Sequence, residues 1–243
     1  MQAPSALSNV SVVLVDTRTA ENIGAVARGM MNMGLSRLVL VRPPRDRDEG
    51  ARKLAAGAGQ ILDAAVEYSC LRDAVSGLNL VIGVSRHRGK LRRNVQTPRE
   101  AAADVLPLLS SNTVALVFGN EVNGLDREDL ALCHEFIAIP SSDAFPSLNL
   151  SHAVMVVAYE FLVAAQGPVT PDSAELAVQD ELEQFYAHLE ATLREIGFLD
   201  GGQPDRIMFS MRQLFGRTRL DSREVSMLRG ILRNVGRTRN GSG

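Results

Sequence analysis

The sequence is short of cysteine and of long apolar runs, and each shortage narrows the possibilities. Only Cys70 and Cys133 are present. They form no CxxC pair and have no histidine pair nearby, which argues against a metal site or disulfide framework and suits a reducing cytosol. His134 beside Cys133 reads as incidental rather than as half of a ligand pair. The N-terminus has no basic segment leading into an apolar run, so no signal peptide is expected. No apolar stretch reaches the roughly 18–20 residues needed to cross a bilayer. The longest, residues 153–165, is interrupted by Tyr159 and Glu160. A cytoplasmic protein away from membranes is therefore expected. There is no Gly-Lys-Ser/Thr of a nucleotide P-loop and no GxGxxG of a dinucleotide fold. There is no internal repeat, and the formal net charge of -2 says nothing by itself about nucleic acid.

The 243 residues are 45% hydrophobic and 22% charged, an ordinary globular composition. Strand and helix patterns alternate through the first two-thirds. Val10–Val15, Leu38–Val41, Leu78–Val84, Thr113–Phe118 and Phe136–Ile139 are short, nearly uniform apolar runs. Helical patterns fall between them at Asn22–Met33, Pro98–Leu109 and Leu125–Cys133, and the strongly apolar Ser151–Ala165 follows the last. Short apolar strands separated by helices predict an α/β domain with a mostly parallel sheet covered on both faces. The pattern breaks at Gly167-Pro168 and Pro171, and an acidic stretch follows. Beyond it, Leu182, Phe185, Leu189, Leu193 and Ile196 share one helix face. A further helical segment runs over 204–215. A last helix is predicted from Asp221, with Glu224 as its capping partner and Val225, Leu228, Leu232 and Val235 as its apolar stripe. The expected organisation is a main domain over 1–166, a linker over 167–180 and a small helical extension over 181–243.

Open parallel sheets bind ligands at the carboxyl ends of their strands. Four loops leaving those ends are unusual. After the first strand comes Asn22-Ile-Gly-Ala-Val-Ala-Arg28, read either as an ordinary capped helix or as a polar site. After Val84 comes Ser85-Arg-His-Arg-Gly-Lys-Leu-Arg-Arg93, a glycine-containing loop with five cations that suits phosphate. Phe118-Gly-Asn-Glu-Val-Asn-Gly124 places a glycine directly after a buried strand, where a ligand or backbone must come close. It is expected to open a helix at Gly124-Leu125. Ile139-Pro-Ser-Ser-Asp-Ala-Phe-Pro-Ser-Leu-Asn-Leu150 joins the last strand to the most apolar helix, which Asn149 or Ser147 would cap. That helix is apolar nearly all round and needs cover from the sheet and from a second subunit.

Taken together and in this order, Asn-x-Gly-x-x-x-Arg, Phe-Gly-x-Glu-x-x-Gly-Leu and Ile-Pro…Ser-Leu-Asn resemble the three motifs of the SpoU branch of the SPOUT superfamily, over about residues 8–165. Leu54-Ala-Ala-Gly-Ala-Gly59 and Leu214-Phe-Gly-Arg-Thr-Arg-Leu220 resemble the TrmJ-like group within it. The resemblance implies an α/β domain with a C-terminal trefoil knot, a homodimer and S-adenosyl-L-methionine (SAM) as methyl donor. It also implies 2′-O-methylation of tRNA ribose, at nucleotide 32, the first of the anticodon loop, on C or U. The same chemistry on rRNA or another tRNA position, or a non-catalytic RNA-binding protein, are the other readings. By motif, SAM would lie against Val84, Ser85, Arg86, Gly119, Ile139, Pro146, Ser147 and Leu148, although family members often carry a smaller or hydroxyl residue at the position of Val84. The resemblance makes Arg28 the catalytic residue, proposed in the family as a general base. Arginine is protonated at neutral pH, so binding the phosphate and stabilising developing negative charge is the alternative role. Asn22 would orient Arg28 or the ribose, Glu121 would hold Arg28, and Ser147 and Asn149 would position nucleotide and cofactor. No metal is implied.

From Arg206 onward there are nine arginines against two acids. Arg229, Arg233 and Arg237 fall on one helix face. Such an excess favours RNA phosphate. With Arg88, Arg92 and Arg93 of the basic loop they form the expected RNA-binding set.

Overall fold

The computed structural model describes residues 5–85 and 95–240. Among them, seven strands form one sheet: β1 (Val10–Val15), β2 (Arg37–Val41), β3 (Val66–Tyr68), β4 (Leu80–Val84), β5 (Val95–Gln96), β6 (Val114–Phe118) and β7 (Glu135–Ile137). Their order is β3-β2-β1-β6-β4-β7-β5, and every pairing is parallel. The helices are α1 (Ala20–Asn32), α2 (Arg47–Ala55), α3 (Gly59–Asp63), α4 (Leu71–Val75), α5 (Pro98–Val105), α6 (Arg127–Ala131), α7 (Leu150–Ala165), α8 (Gln179–Glu195), α9 (Pro204–Gly216) and α10 (Ser222–Asn240).

Strands β1 and β6 are buried along their whole length because both sheet faces are covered. Alternation along β1 shows how. Val10, Val12 and Leu14 enter one core with α1, α5 and α7, whereas Val13 and Val15 enter a second core with α4 and Leu132. A third cluster, built on Phe185, Tyr186, Leu189, Met208 and Val225, joins α8, α9 and α10.

Three local expectations are corrected. Helix α1 begins at Ala20 with Thr19 in the capping position, so Asn22 lies inside the first turn and its side chain is not a cap. Gly124 does not open a helix. It closes a tight turn with φ 72° and its N–H bonded to Asn120 O at 3.0 Å, and α6 starts later, capped by the Asp126 carboxylate. Pro98–Leu109 is not one helix. It starts at a Thr97–Glu100 capping box and tightens into a 3₁₀ turn at Leu106–Ser110, where Pro107 interrupts the α pattern. Strands β3 and β5 are additional to those read from the sequence. They have three and two residues, too few to show a period.

Residues 172–180 run along the N-terminal edge of the sheet and are bonded to it. Leu176 N donates to Asn112 Oδ1, Gln179 N to Leu78 O and Asp180 N to Ser76 O, at 2.8–3.0 Å. Asp221 and Glu224 exchange side-chain-to-backbone bonds of 2.7 and 3.0 Å at the start of α10. No described helix is long and apolar enough to cross a membrane.

Candidate active site

A cavity of about 240 Å³ opens at the carboxyl ends of β4, β6 and β7. Val84, Ser85, Phe118, Gly119, Ile139 and Pro146–Leu148 contribute to its wall, as do Asn120–Leu125, Leu130, Leu150 and Ala153. Every described residue that the sequence assigned to the cofactor therefore reaches one hollow. Arg86 lies outside the described residues, as do Arg88, Arg92 and Arg93. Leu125, Leu130, Leu150 and Ala153 were not anticipated. They are ordinary core-type residues whose place in the wall follows from the turn at Gly124 and the entry of α7.

Gly119 is fixed by close approach. A Cβ there would lie 2.1 Å from the Gly124 carbonyl carbon and 2.2 Å from Leu125 N, inside covalent backbone. The Asn120 side chain holds the same turn, accepting from Val122 N at 3.0 Å and Asn123 N at 2.8 Å.

At the side of this cavity the motif loops meet through a chain of hydrogen bonds. Glu121 accepts from Asn22 Nδ2 at 2.7 Å, Arg18 N at 3.1 Å and Thr19 N at 3.4 Å. Asn22 Oδ1 accepts from Asn149 Nδ2 at 3.0 Å. Asn149 Oδ1 caps α7, accepting from Ser151 N at 2.9 Å and Ser151 Oγ at 2.7 Å. Burial works to raise the pKa of Glu121, but the donors from Asn22, Arg18 and Thr19 outweigh it and hold the carboxyl below its ordinary range. An ionised Glu121 accepts only. It therefore turns the Asn22 NH₂ toward itself and the Asn22 oxygen toward Asn149, which orients the second amide in turn.

Glu121 holds Asn22 and the loop after β1, and not Arg28. Asn22 and Arg28 are six positions apart on α1, about 120° around its axis. The Arg28 guanidinium is exposed and has no hydrogen-bond partner among the described residues. It does not line the cavity. The loop that presents the Arg18 and Thr19 amides is itself pinned. Asp16 (φ 52°) and Arg42 (φ 51°) both sit in the left-handed region at the ends of β1 and β2. Arg42 grips Asp16 through two bonds of 2.8 Å and reaches buried Asp129 at 3.1 Å. The sequence carries one signal for this trio, an acid directly after a buried strand at Asp16, but it does not point to Arg42 or Asp129.

The arginines of the C-terminal helices divide into two groups. Arg212 pairs with Glu183 and stacks 4.5 Å over the Tyr186 ring. Arg219 pairs with Glu135 and Asp104. Arg229 donates to Gln184 Oε1 at 3.2 Å. Arg217, Arg223 and Arg233 are exposed and have no partner among the described residues. The Arg237 side chain lies outside them.

The profile of the SpoU rRNA methylase family matches residues 9–159, and that of the tRNA methyltransferase TrmJ C-terminal domain matches residues 180–243. A Pseudomonas aeruginosa protein named tRNA (cytidine/uridine/adenosine-2′-O-)-methyltransferase TrmJ is 44% identical over 239 residues, 93% of each chain. The chain belongs to the SpoU methylase family and to its TrmJ group. Among solved structures, TrmJ from Z. mobilis ZM4 superposes with a TM-score of 0.81 at 32% identity, covering 93% of this chain and 98% of that one. The SpoU methyltransferase AviRb of Streptomyces viridochromogenes, solved with AdoMet, shares the fold at a TM-score of 0.50 and 19% identity, over 63% of this chain and 59% of that one.

The cavity of this SpoU methylase suits a cofactor such as SAM. Leu125, Leu130, Ile139 and Leu148 offer an apolar wall for an aromatic base, while the turn at Gly119–Gly124 brings backbone polar groups to its edge. No bulky side chain can occupy the position of Gly119.

Proposed function

We propose that the chain transfers the methyl group of SAM to the ribose 2′-OH of tRNA, at nucleotide 32 of the anticodon loop, on C or U. The observation that carries this reading is the Glu121–Asn22–Asn149 chain, which joins all three motif loops beside the cavity. SAM would be held by Gly119, Ile139 and Pro146–Leu148 together with Val84 and Ser85, all of which line the cavity. When bound, it supplies a sulfonium methyl that is already electrophilic.

The residues of the chain then have three tasks. Asn22 and Asn149, with one N–H each left over from the described bonds, present donors to the nucleotide. Ser147 offers a hydroxyl at the cavity wall. Arg28, which does not line the cavity of its own chain, would bind a phosphate and stabilise the alkoxide character that develops as the 2′-OH loses its proton, in a site completed by a second copy of the chain. The general chemistry of the guanidinium group, a poor base in water, favours this role over that of a base. Holding nucleotide and cofactor together lowers the barrier further, by up to roughly 7–11 kcal/mol in favourable systems.

The same reading includes a homodimer in the cytoplasm and a trefoil knot around the 139–149 segment. Tyr159 and Val163 of α7 and Met31 of α1 are exposed apolar residues that support a second copy packing on that face. The arginines of α9 and α10 support tRNA binding by the helical extension.

Incubation with tritiated SAM and bulk tRNA or rRNA, followed by mapping of the labelled nucleotide, tests the proposal. Label at nucleotide 32 of tRNA is expected. Label elsewhere in tRNA or in rRNA would replace the substrate assignment, and no label in either would overturn the reading.

A further inference from the structure

Arg219 belongs to the arginine-rich segment whose charge suits RNA, yet the structure turns it inward. It lies in the turn between α9 and α10 with φ 52°, a left-handed conformation that non-glycine residues rarely adopt. Its Nε and Nη2 donate to the two carboxylate oxygens of Glu135, at 2.7 and 3.0 Å, and Nη2 also donates to Asp104 of α5. Only 20% of the Arg219 side chain and 9% of the Glu135 side chain are exposed. A residue kept in an unfavourable backbone region persists where its surroundings over-determine it. Here those surroundings are two carboxylates on different elements.

Other contacts of the helical extension fall on the same short segment. Gln213 Nε2 donates to Cys133 O at 3.3 Å. Gly216 packs so closely on His134 that a Cβ would lie 3.0 Å from the His134 Cα. The His134 ring bonds to Gln179 at 2.5 Å. Gln179, Gln213, Gly216 and Arg219 thus hold three consecutive residues, the two before β7 and its first. That strand is three residues long, and Ile139 of the cavity wall follows two positions after it. Glu135 and Ile139 are therefore separated by about 13 Å of extended chain.

The bonds from Arg219 also close a ring. Asp104 accepts from Gln96 Nε2 at 3.2 Å, and Gln96 O accepts from Ala138 N at 2.9 Å, next to Ile139. Ser85, which follows the neighbouring strand β4 and also lines the cavity, donates its N–H to Ile137 O at 2.9 Å. Arg219, Glu135, β7, Gln96 of β5 and Asp104 of α5 form one circuit, and two residues of the cavity wall hang from it.

We propose that Arg219 is a positioning residue for the cofactor cavity: by locking β7 to β5 and α5 from the far edge of the sheet, it sets the places of Ile139 and Ser85. The extension then serves the methyl donor as well as the RNA. This inference rests on the reading that the cavity holds SAM.

Arg219→Gly is the informative variant. Glycine accepts φ 52° without strain, so the turn persists while the side chain, guanidinium included, is removed. The dissociation constant for SAM, measured by calorimetry on the full chain, is expected to rise about tenfold. The KM for SAM should rise with it, while the KM for tRNA and the salt dependence of tRNA binding stay unchanged. Glu135→Gln removes no arginine and should show the same SAM defect, which keeps the test open if Arg219→Gly folds poorly. A SAM dissociation constant within twofold of the parent in folded Arg219→Gly or Glu135→Gln overturns the proposal, whatever happens to the melting temperature. Weaker tRNA affinity with unchanged SAM affinity returns Arg219 to the RNA-binding set and also overturns it. Leu148→Trp, at the exposed mouth of the cavity, separates the two levels. If it binds SAM as the parent does, the cavity assignment fails. If it loses SAM while Arg219→Gly keeps it, only the positioning role fails.

Discussion

Asn22 and Asn149, 127 positions apart in the chain, share a hydrogen bond of 3.0 Å whose direction is set by Glu121 on the far side of Asn22. Replacing Asn22 by Asp keeps the size and the acceptor but places a second carboxylate against Glu121 and removes the donor between them. Like charges at hydrogen-bond distance oppose ionisation of both. The expected result is a fall in kcat/KM for tRNA of at least about 100-fold, equivalent to about 2.7 kcal/mol of transition-state stabilisation. Tritium transfer under subsaturating tRNA measures it. Activity within threefold of the parent would remove the Asn22 relay from the mechanism.

Arg28 presents the opposite case, a side chain without internal partners among the described residues. Arg28→Ala should leave melting temperature and SAM affinity nearly unchanged, since exposed substitutions of this kind usually stay within about 0.5 kcal/mol. Methyl transfer should drop by about 10²–10³, the range seen when one preorganised electrostatic donor is removed. Single-turnover rates with SAM-saturated enzyme isolate this effect. Near-normal turnover would refute the assignment of Arg28 to the chemical step.

Gly119→Ala tests the cavity wall. The added methyl meets covalent backbone at 2.1 Å rather than a flexible side chain, so the 119–124 turn must move. A destabilisation of about 1–3 kcal/mol is expected from overpacking. A larger proportional loss of SAM affinity should accompany it, because the same turn lines the cavity. Chemical denaturation and calorimetry on the same sample compare the two. A stability loss with intact SAM affinity would mean that the turn does not touch the cofactor.

The sequence was most legible where one interaction dominates. The nearly uniform apolar runs of β1 and β6, too short for buried helices and rich in β-branched residues, read as strands covered on both faces, and both are buried along their length. Gly119 was marked by its place after such a strand, and close packing explains it. What sequence could not show were partnerships across long separations. Asn22 looked like a helix cap because caps are a local device, but its partners lie 99 and 127 positions away. Glu121 was assigned to Arg28 by motif, but helical geometry points Arg28 elsewhere. Strands β3 and β5 carry no periodic signal of their own and pair only because neighbouring strands offer an edge. The arginine count treated every guanidinium alike, while burial against Glu183, Glu135 and Asp104 separates some from the rest.

His134 gives a pH prediction with a definite sign. Its Nδ1 accepts from Val81 N at 3.2 Å, so the neutral ring carries its proton on Nε2 and donates it to Gln179 Oε1. Burial lowers its pKa from the ordinary 6.5 to about 4. The native state therefore takes up this proton less readily than the unfolded chain. The contribution to stability is fully present above pH 6.5 and is lost as pH falls from 6.5 toward 4, at up to about 1.4 kcal/mol per pH unit. His134→Asn keeps an acceptor for Val81 and removes the titration. Across pH 6.5 to 4.5 the stability of the parent should fall relative to this variant, measured by denaturant midpoints at each pH. Parallel pH profiles would show that His134 is not the responsible group.

The division among the C-terminal arginines separates RNA binding from folding. Arg217, Arg223 and Arg233 face solvent, so replacing all three by Ala should leave unfolding free energy nearly unchanged. For every phosphate that an arginine no longer neutralises, the slope of log affinity against log salt should shrink by about 0.7–0.9. Arg212→Ala should do the reverse. Glu183 is nearly buried and is held ionised, against the burial that opposes its charge, by Arg212 and Arg72. Removing Arg212 leaves that carboxylate short of donors, with an expected cost of about 1.5–3 kcal/mol of stability. The salt slope of the Arg212 variant should match the parent at temperatures where it remains folded. Filter binding of tRNA between 50 and 200 mM salt (about a ten- to hundredfold range of affinity when a few phosphates are neutralised) resolves the two behaviours. A reduced slope in Arg212→Ala and an unchanged one in the triple variant would place the RNA on the opposite side of α9 and α10.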